Sequence, residues 1–393
     1  MSDPVVIASY ARTPMGGMMG AFGEVSSTEL GAAAVRAAVE RAGIAGDAVE
    51  KIFMGCVLPA GLGQAPARQA ALGAGLPQSV EATTLNKMCG SGMQAAIMAH
   101  DTLAAGSADI IVAGGMESMT GAPYLLPKHR AGARMGHDVV KDSMFLDGLE
   151  DAYDKGKAMG VFAEDAVREY QFTREEQDAY ALRSLERANA AIASGAFERE
   201  ITPVEVTTRK GVTTVSVDEQ PGNARPDKIP GLKPAFVKDG TVTAANSSSI
   251  SDGAAALVMT RQSVAEKLGL PIVARVVGHS AHAHEPAKFT TAPAPAMRKL
   301  LDKVGWSVDD VDLFEVNEAF AVVALIAQRE LGIPDDKLNV NGGATALGHP
   351  IGASGARIIC TLLGALQARG GKRGVASLCI GGGEATAVAL ELV

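Results

Sequence analysis

Short continuous apolar runs alternate along this chain with longer stretches of small residues at helical spacing. Val5-Val6-Ile7-Ala8 opens a first strand, residues 5–9, and a Gly- and Met-rich loop follows over 12–23. A helix is predicted from about Ser27 to Ala42, with Ser27 or Thr28 as its N-cap. Next come a strand over 49–55, a helix around 65–74, a small-residue helix from just after Cys89 to about Ala105, and a strand over 109–115. The strands read as near-continuous apolar runs rather than alternating ones. Such strands are buried on both faces, so the pattern predicts an α/β fold with a mainly parallel, layered sheet.

Between about 119 and 249 the pattern changes. Charge density rises (His129, Arg130, Arg134, Lys141, Asp142, Glu150, Asp151, Asp154, Lys155), a charged amphipathic helix covers 173–193, and proline-spaced loops cover 221–234. This reads as an inserted, largely surface domain. The earlier pattern then repeats. Residues 294–304 resemble the early helix, 311–317 echo 49–55, and 374–383 echo 109–115. Gly352-Ala353-Ser354-Gly355-Ala356-Arg357 echoes Cys89-Gly90-Ser91-Gly92-Met93-Gln94, each opening a small-residue helix. An internal duplication accounts for this, and two facing halves would bring both helix-opening loops together. The predicted division is 1–119 with about 249–271 as one half, 120–248 as the insert and 272–393 as the other half.

Composition narrows the function. A chain of 393 residues, 47% of them hydrophobic, can bury more than one core. Few aromatics (4%) and 45 glycines fit close packing on small side chains. A net charge of -8 and pI near 5.5 argue against a nucleic-acid surface. No basic leader and no apolar run of membrane length are evident, so no membrane partner and a cytoplasmic location are expected. The four cysteines, Cys56, Cys89, Cys360 and Cys379, form no CxxC and point to a reducing compartment.

The central stretch is Asn86-Lys87-Met88-Cys89-Gly90-Ser91-Gly92. A thiol at the first turn of a helix feels the positive end of the peptide dipoles, which predicts a lowered pKa. Gly90 and Gly92 are expected to allow a sharp turn and a close backbone approach. Three later loops have the look of a site: Asn317 at a strand end, His349 in Gly348-His349-Pro350, and Cys379 ahead of Gly381-Gly382-Gly383. An imidazole could take the proton of Cys89, a second thiol could shuttle one, and free N–H groups at Cys89 and around Gly381 could hold an oxyanion. Each residue alone also has a bland reading: Cys89 or Cys379 as core, His349 as a turn cap. Their coincidence favours the site. His279, His282 and His284 are close in sequence, but strand alternation would not put them on one face, so no metal is expected. No nucleotide-binding glycine fingerprint is present.

Taken together these motifs, with the 246–255 stretch and Val316-Asn317-Glu318-Ala319-Phe320, resemble the thiolases over nearly the whole chain. The resemblance implies two βαβαβαββ halves in an α-β-α-β-α arrangement with an inserted CoA-binding loop domain. It implies a two-step Claisen condensation or thiolysis, with coenzyme A and acetyl-CoA as substrates and no permanently bound cofactor. Cys89 would be acylated and His349 would activate it. Asn317 would hold a water in one oxyanion hole, Cys379 would shuttle a proton, and the N–H groups of Cys89 and Gly381 would form a second hole. Met159, Phe289, Phe320, Ser248 and Arg225 would meet the acyl-CoA. A homotetramer is expected, residues 128–135 resembling a tetramerisation loop.

The chain also departs from the family pattern. Ala158-Met159-Gly160 lacks a family histidine, and Asn246-Ser247-Ser248-Ser249 keeps a serine but not a glycine. Arg225 is displaced from the expected arginine position, and Phe289 replaces a common methionine. A short-chain acetyl-CoA C-acetyltransferase is the leading expectation. A broader-chain degradative 3-ketoacyl-CoA thiolase is the alternative, and a non-catalytic acyl-CoA or lipid-binding relative a weaker one. A ketoacyl synthase is disfavoured by Cys379.

Overall fold

A computed structural model describes residues 3–209 and 211–393. The first half runs β1 (Val5–Arg12), α1 (Ser27–Ala42), β2 (Lys51–Gly55), α2 (Pro66–Gly73), β3 (Glu81–Leu85), α3 (Ser91–Ala104) and β4 (Ile110–Ser118). The chain then leaves the sheet for a segment containing α4 (Met159–Tyr170) and α5 (Arg174–Ala193), and returns as β5 (Ser251–Arg261). The second half runs β6 (Ala274–Ala283), α6 (Pro293–Val304), β7 (Leu313–Val316), α7 (Ala321–Leu331), α8 (Ile351–Arg369), β8 (Arg373–Ile380) and β9 (Glu384–Leu392).

The two halves repeat strand for strand. The first sheet is ordered β3-β2-β4-β5-β1, with β2 parallel to both neighbours and β5 antiparallel to both of its own. The second is ordered β7-β8-β9-β6, with β7 parallel to β8 and β9 antiparallel to β8 and β6. A parallel bridge from Phe314 to Leu338 stands where β3 stands in the first half. The sheets meet through β1 and β6, paired antiparallel at Val6↔Arg275 and Ile7↔Ala274.

Layering follows from which face of each strand is apolar. Ile97 and Leu103 of α3 and Ile359, Leu362 and Leu366 of α8 share one core with Ile111, Leu257, Leu378 and Leu390, one face of each sheet. Helices α1 and α2 cover the other face of the first sheet and α6 and α7 that of the second, giving α-β-α-β-α. Each fully buried Leu or Ile contributes about 1.5–3 kcal/mol, so the doubly covered central layer anchors the molecule. The central helices approach closely. A Cβ on Gly355 would lie 2.2 Å from the Met93 nitrogen, and one on Gly92 2.7 Å from that of Ala356. Gly90 and Gly92 therefore serve packing; Gly90 has φ −79°, so the expected glycine-dependent turn is made elsewhere.

Three other expectations need correction. The sheet is not mainly parallel: among the strands named above only β2–β3, β2–β4 and β7–β8 pair parallel, while β1, β5, β6 and β9 join antiparallel. Helix α1 is capped by Ser26, one residue before the predicted caps; Glu29, three residues on, completes a capping box that Ser27 and Thr28 cannot make. Among the described residues one helix, Ile351–Arg369, is long and apolar enough to cross a membrane, with 89% of its apolar window buried inside the fold. It is the core helix α8.

The segment between β4 and β5 is fastened to the halves by buried polar hubs. The Arg12 guanidinium donates to Glu200 and to both oxygens of Asp218 at 2.6–2.9 Å. The Glu318 carboxylate accepts from Tyr180 and Ser184 of α5, from Asn339 and from Thr345. Glu318 follows Asn317, so the hub ties α5 directly to the loop after β7.

Candidate active site

The turn before α3 is strained at Met88, not at a glycine. Met88 has φ +46°, a left-handed conformation costing an L-residue about 1–2 kcal/mol. Its surroundings hold it there: the Asn86 Oδ1 accepts from the Met88 N–H at 2.9 Å. Ser91 Oγ donates to the Met88 carbonyl at 2.6 Å and accepts from the Lys87 N–H at 2.8 Å. The Lys87 ammonium pairs with Glu384 of the other half. This turn sets Cys89 against a cavity of about 390 Å³.

His349 reaches the same cavity from the second half. Gly348, with φ +108° and a would-be Cβ 2.3 Å from Ser251 Oγ, admits only glycine and turns the chain so that His349 enters. The Ser354 hydroxyl donates its one proton to the Pro350 carbonyl at 2.9 Å and sits 2.6 Å from His349 Nδ1. Its lone pair therefore accepts from Nδ1–H, and Nε2 keeps the free lone pair. Asn317 Nδ2 lies 3.4 and 3.5 Å from the two ring nitrogens. Near-equal distances place the amide across the ring rather than in line with either nitrogen. Arg357 Nη2 donates to Asn317 Oδ1 at 3.0 Å, which fixes the amide orientation, and Arg357 is itself held by Glu315 at 3.0 Å.

Burial sets the protonation states. The Cys89 thiol is partly open to the cavity but walled in by protein, and burial pushes its pKa up to about 11. The N–H groups of Gly381 and of Cys89 itself face the sulfur and pull the other way. The expected lowering by the helix N-terminus is thus outweighed by desolvation. His349 is driven down to about 3 by burial and then by the Arg357 charge, and so is neutral. Burial, then the neighbouring Cys89, pushes the Cys379 thiol well up. The resting site holds two thiols and a neutral imidazole.

Cys89, His349, Cys379, Gly381, Ser248, Met159, Phe289 and Phe320 all line this one cavity. Asn317 is fully buried behind His349. Arg225 stands apart: it lines an adjoining cleft with Lys228, and Ala244 and Ser249 are common to both spaces. Phe236, Phe289 and Phe320 form an aromatic cluster on the cavity wall, with ring centroids 5.9 and 6.5 Å apart. The predicted histidine run is split as alternation requires: His279 bonds to Asp101 of α3, while His282 stacks edge-on with His284.

Several supporting residues were not singled out from sequence. Glu117, at the end of β4, accepts from the N–H groups of Val57, Leu58 and Gly352 at 2.8–3.1 Å, and burial lifts it to about 7. It ties the start of α8 to the first half. Arg357 in an apolar helix and Glu117 in an apolar strand are lone charges in buried runs. That is a signal available in sequence, because such groups are almost never buried without partners.

Comparison with known proteins bears on this geometry. The family description "Thiolase, N-terminal domain" matches residues 5–263, and "Thiolase, C-terminal domain" matches 270–392. Acetyl-CoA acetyltransferase 1 of Arabidopsis thaliana is 49% identical over 392 residues, 99% of this chain and 94% of the relative. Acetyl-CoA acetyltransferase of Pseudomonas aeruginosa is 47% identical over 392 residues, covering 99% of both chains. The crystal structure of the Bacillus anthracis acetyl-CoA acetyltransferase superposes with TM-score 0.97 at 41% identity, over 100% of this chain and 99% of that one. An Ascaris suum thiolase in complex with coenzyme A superposes with TM-score 0.94 at 40% identity, over 99% and 100%. On its sequence, its duplicated fold and these matches, the chain belongs to the thiolase family.

Proposed function

We propose that the chain is an acetyl-CoA C-acetyltransferase that cleaves and forms acetoacetyl-CoA through an acyl-Cys89 intermediate. One observation carries the reading: the N–H groups of Gly381 and Cys89 converge on the Cys89 sulfur in a cavity that also holds His349 and Cys379.

In the thiolysis direction Cys89 sulfur attacks the C3 carbonyl of acetoacetyl-CoA and passes its proton to the free Nε2 of His349. The oxyanion forming on the Cys89-bound carbon is held by the two N–H groups; each such donor is worth about 10²–10³ in rate. The C2–C3 bond then breaks. The acetyl-CoA enolate oxygen rests against His349 and a water held by Asn317, and its carbon takes the proton of Cys379. A protonated Cys379 at rest is what this step requires. Incoming coenzyme A gives its thiol proton to the Cys379 thiolate and attacks the acetyl-Cys89 carbonyl. Acetyl-CoA leaves, and Cys89 regains its proton from His349. Condensation is the same path reversed.

The cleft beside the cavity gives the cofactor part of the substrate a place. Arg225 and Lys228 offer cations to the phosphates of coenzyme A, and the apolar wall of Met159, Phe289 and Phe320 faces the acyl part. The aromatic cluster supports a short acyl group. Exposed apolar side chains at Tyr124, Leu126, Met135, Val139 and Val140 fit a segment covered in a homotetramer. The test of function is CoA-dependent cleavage of acetoacetyl-CoA, with the acetyl group trapped on Cys89 and located by peptide mass spectrometry. Acetyl on any other residue, with none on Cys89, overturns the mechanism.

A further inference from the structure

The C-terminal end of α3 carries a side-chain cluster that the acyl-transfer chemistry does not use. His100 Nδ1 lies 3.0 Å and His279 Nε2 2.9 Å from the same oxygen, Oδ1, of Asp101. The three donor atoms lie within 4.8 Å of one another, and the two imidazoles meet edge to face with centroids 5.0 Å apart. His100 and Asp101 belong to the first half and His279 to β6 of the second, so the cluster straddles the two halves. His100 is nine positions beyond Ser91, about 13 Å along the helix. The cluster is therefore remote from Cys89.

We propose that His100, Asp101 and His279 form a binding site for a divalent transition-metal cation of the Zn²⁺ class. Two imidazole nitrogens and one carboxylate oxygen are the donor set such ions prefer, and water completes the shell. A tetrahedral cation about 2.1 Å from each donor places the donors about 3.4 Å apart. Two of the three present separations fall within half an ångström of that, so small ring rotations complete the site. The Asp101 side chain is 60% exposed while the two histidine side chains are about one-fifth exposed, which leaves the ion an entry path from solvent and two half-buried walls. Binding needs the lone pairs of His100 Nδ1 and His279 Nε2, so each ring carries its proton on its other nitrogen and the two hydrogen bonds to Oδ1 give way to metal bonds. Because the ligands come from both halves, the ion acts as a cross-brace that stabilises the folded state by mass action. The Lys303 ammonium, which donates to the His279 carbonyl at 3.0 Å, adds a nearby positive charge and favours a modest affinity over a tight one.

The test uses the intact protein after chelator treatment. Zn²⁺ and, separately, Co²⁺ are titrated into wild type, Asp101→Asn and His279→Gln, with stoichiometry by calorimetry and melting followed in parallel. The expected result is one cation per chain, a raised melting temperature, and at least a tenfold weaker affinity in each variant with unchanged acetoacetyl-CoA cleavage in the absence of metal. The Co²⁺ complex should lack the near-ultraviolet thiolate charge-transfer band. Binding that is absent in wild type, or that persists undiminished in both variants or shows the thiolate band, overturns the proposal. Asp101→Asn changes an exposed carboxylate, so its folding is secure should His279→Gln misfold.

Discussion

At the scale of single residues, Cys89 and His349 are both kept neutral by burial. Thiolate then appears only as the sulfur attacks, with His349 taking the proton. Alkylation of Cys89 by iodoacetamide is accordingly expected to climb steadily over roughly pH 6 to 10, because reactivity follows the thiolate fraction. A plateau already reached near neutrality would mean a resting thiolate–imidazolium pair. His349 also predicts a stability profile. Its pKa falls from the usual 6.5 to about 3 on folding, so below 6.5 the unfolded chain binds a proton that the folded chain refuses. Stability present above pH 6.5 is lost as pH falls toward 3, at about 1.4 kcal/mol per pH unit for this one group. Urea midpoints measured between pH 7 and about 4.5 should fall less steeply in His349→Asn than in wild type. Replacing Asn317 with Ala should lower kcat by about 10²-fold with little change in fold, since it removes the amide that lies across the His349 ring and would hold the oxyanion-hole water. A loss confined to KM would assign Asn317 to ground-state binding instead. The sequence pointed to Cys89, His349, Asn317 and Cys379 because each is a polar group among glycines at a strand or helix end. It did not point to Ser354, Arg357 or Glu117, whose roles depend on partners 5 to 235 positions away.

At the scale of elements, the site exists because two helices can touch. Gly355 and Met93 are in backbone contact, and Gly92 faces Ala356 in the same way. Gly355→Ala is expected to push α3 and α8 apart, costing about 1–3 kcal/mol or more in urea denaturation, with a matching loss of activity as Cys89 and His349 separate. An unchanged midpoint would show that the helix pair can give. Strand and helix runs were readable from apolar periodicity, and the echo between halves was readable as well. The cap of α1 was misplaced because three consecutive cap-type residues precede Glu29, and only the spacing to that glutamate selects Ser26. The strained Met88 had no signal in composition. Its φ is held by the Met88 N–H donating to Asn86 and by Ser91 donating to the Met88 carbonyl, contacts that only the folded turn reveals.

For the whole molecule, two half-sites are joined by the fold: Cys89 from the first half, His349, Asn317 and Cys379 from the second. The segment between β4 and β5 closes the space above them, through Met159 and Phe236. Duplication was legible because both halves keep one apolar pattern. Where Arg225 lies was not, because the loop that carries it has no periodicity to fix its path. Phe289→Ala should widen the acyl space and raise the ratio of longer 3-ketoacyl-CoA to acetoacetyl-CoA cleavage by about tenfold, the scale of one or two methylenes in an apolar pocket. An unchanged ratio would move chain selection to another wall. The most direct measurement is CoA-dependent cleavage of acetoacetyl-CoA by wild type and by Cys89→Ala, with both variants shown to be folded. Wild type is expected to turn over, and Cys89→Ala to lose at least about 10³-fold, the scale for removing a catalytic nucleophile. Turnover that survives in Cys89→Ala, or none in folded wild type, would contradict the acyl-Cys89 mechanism.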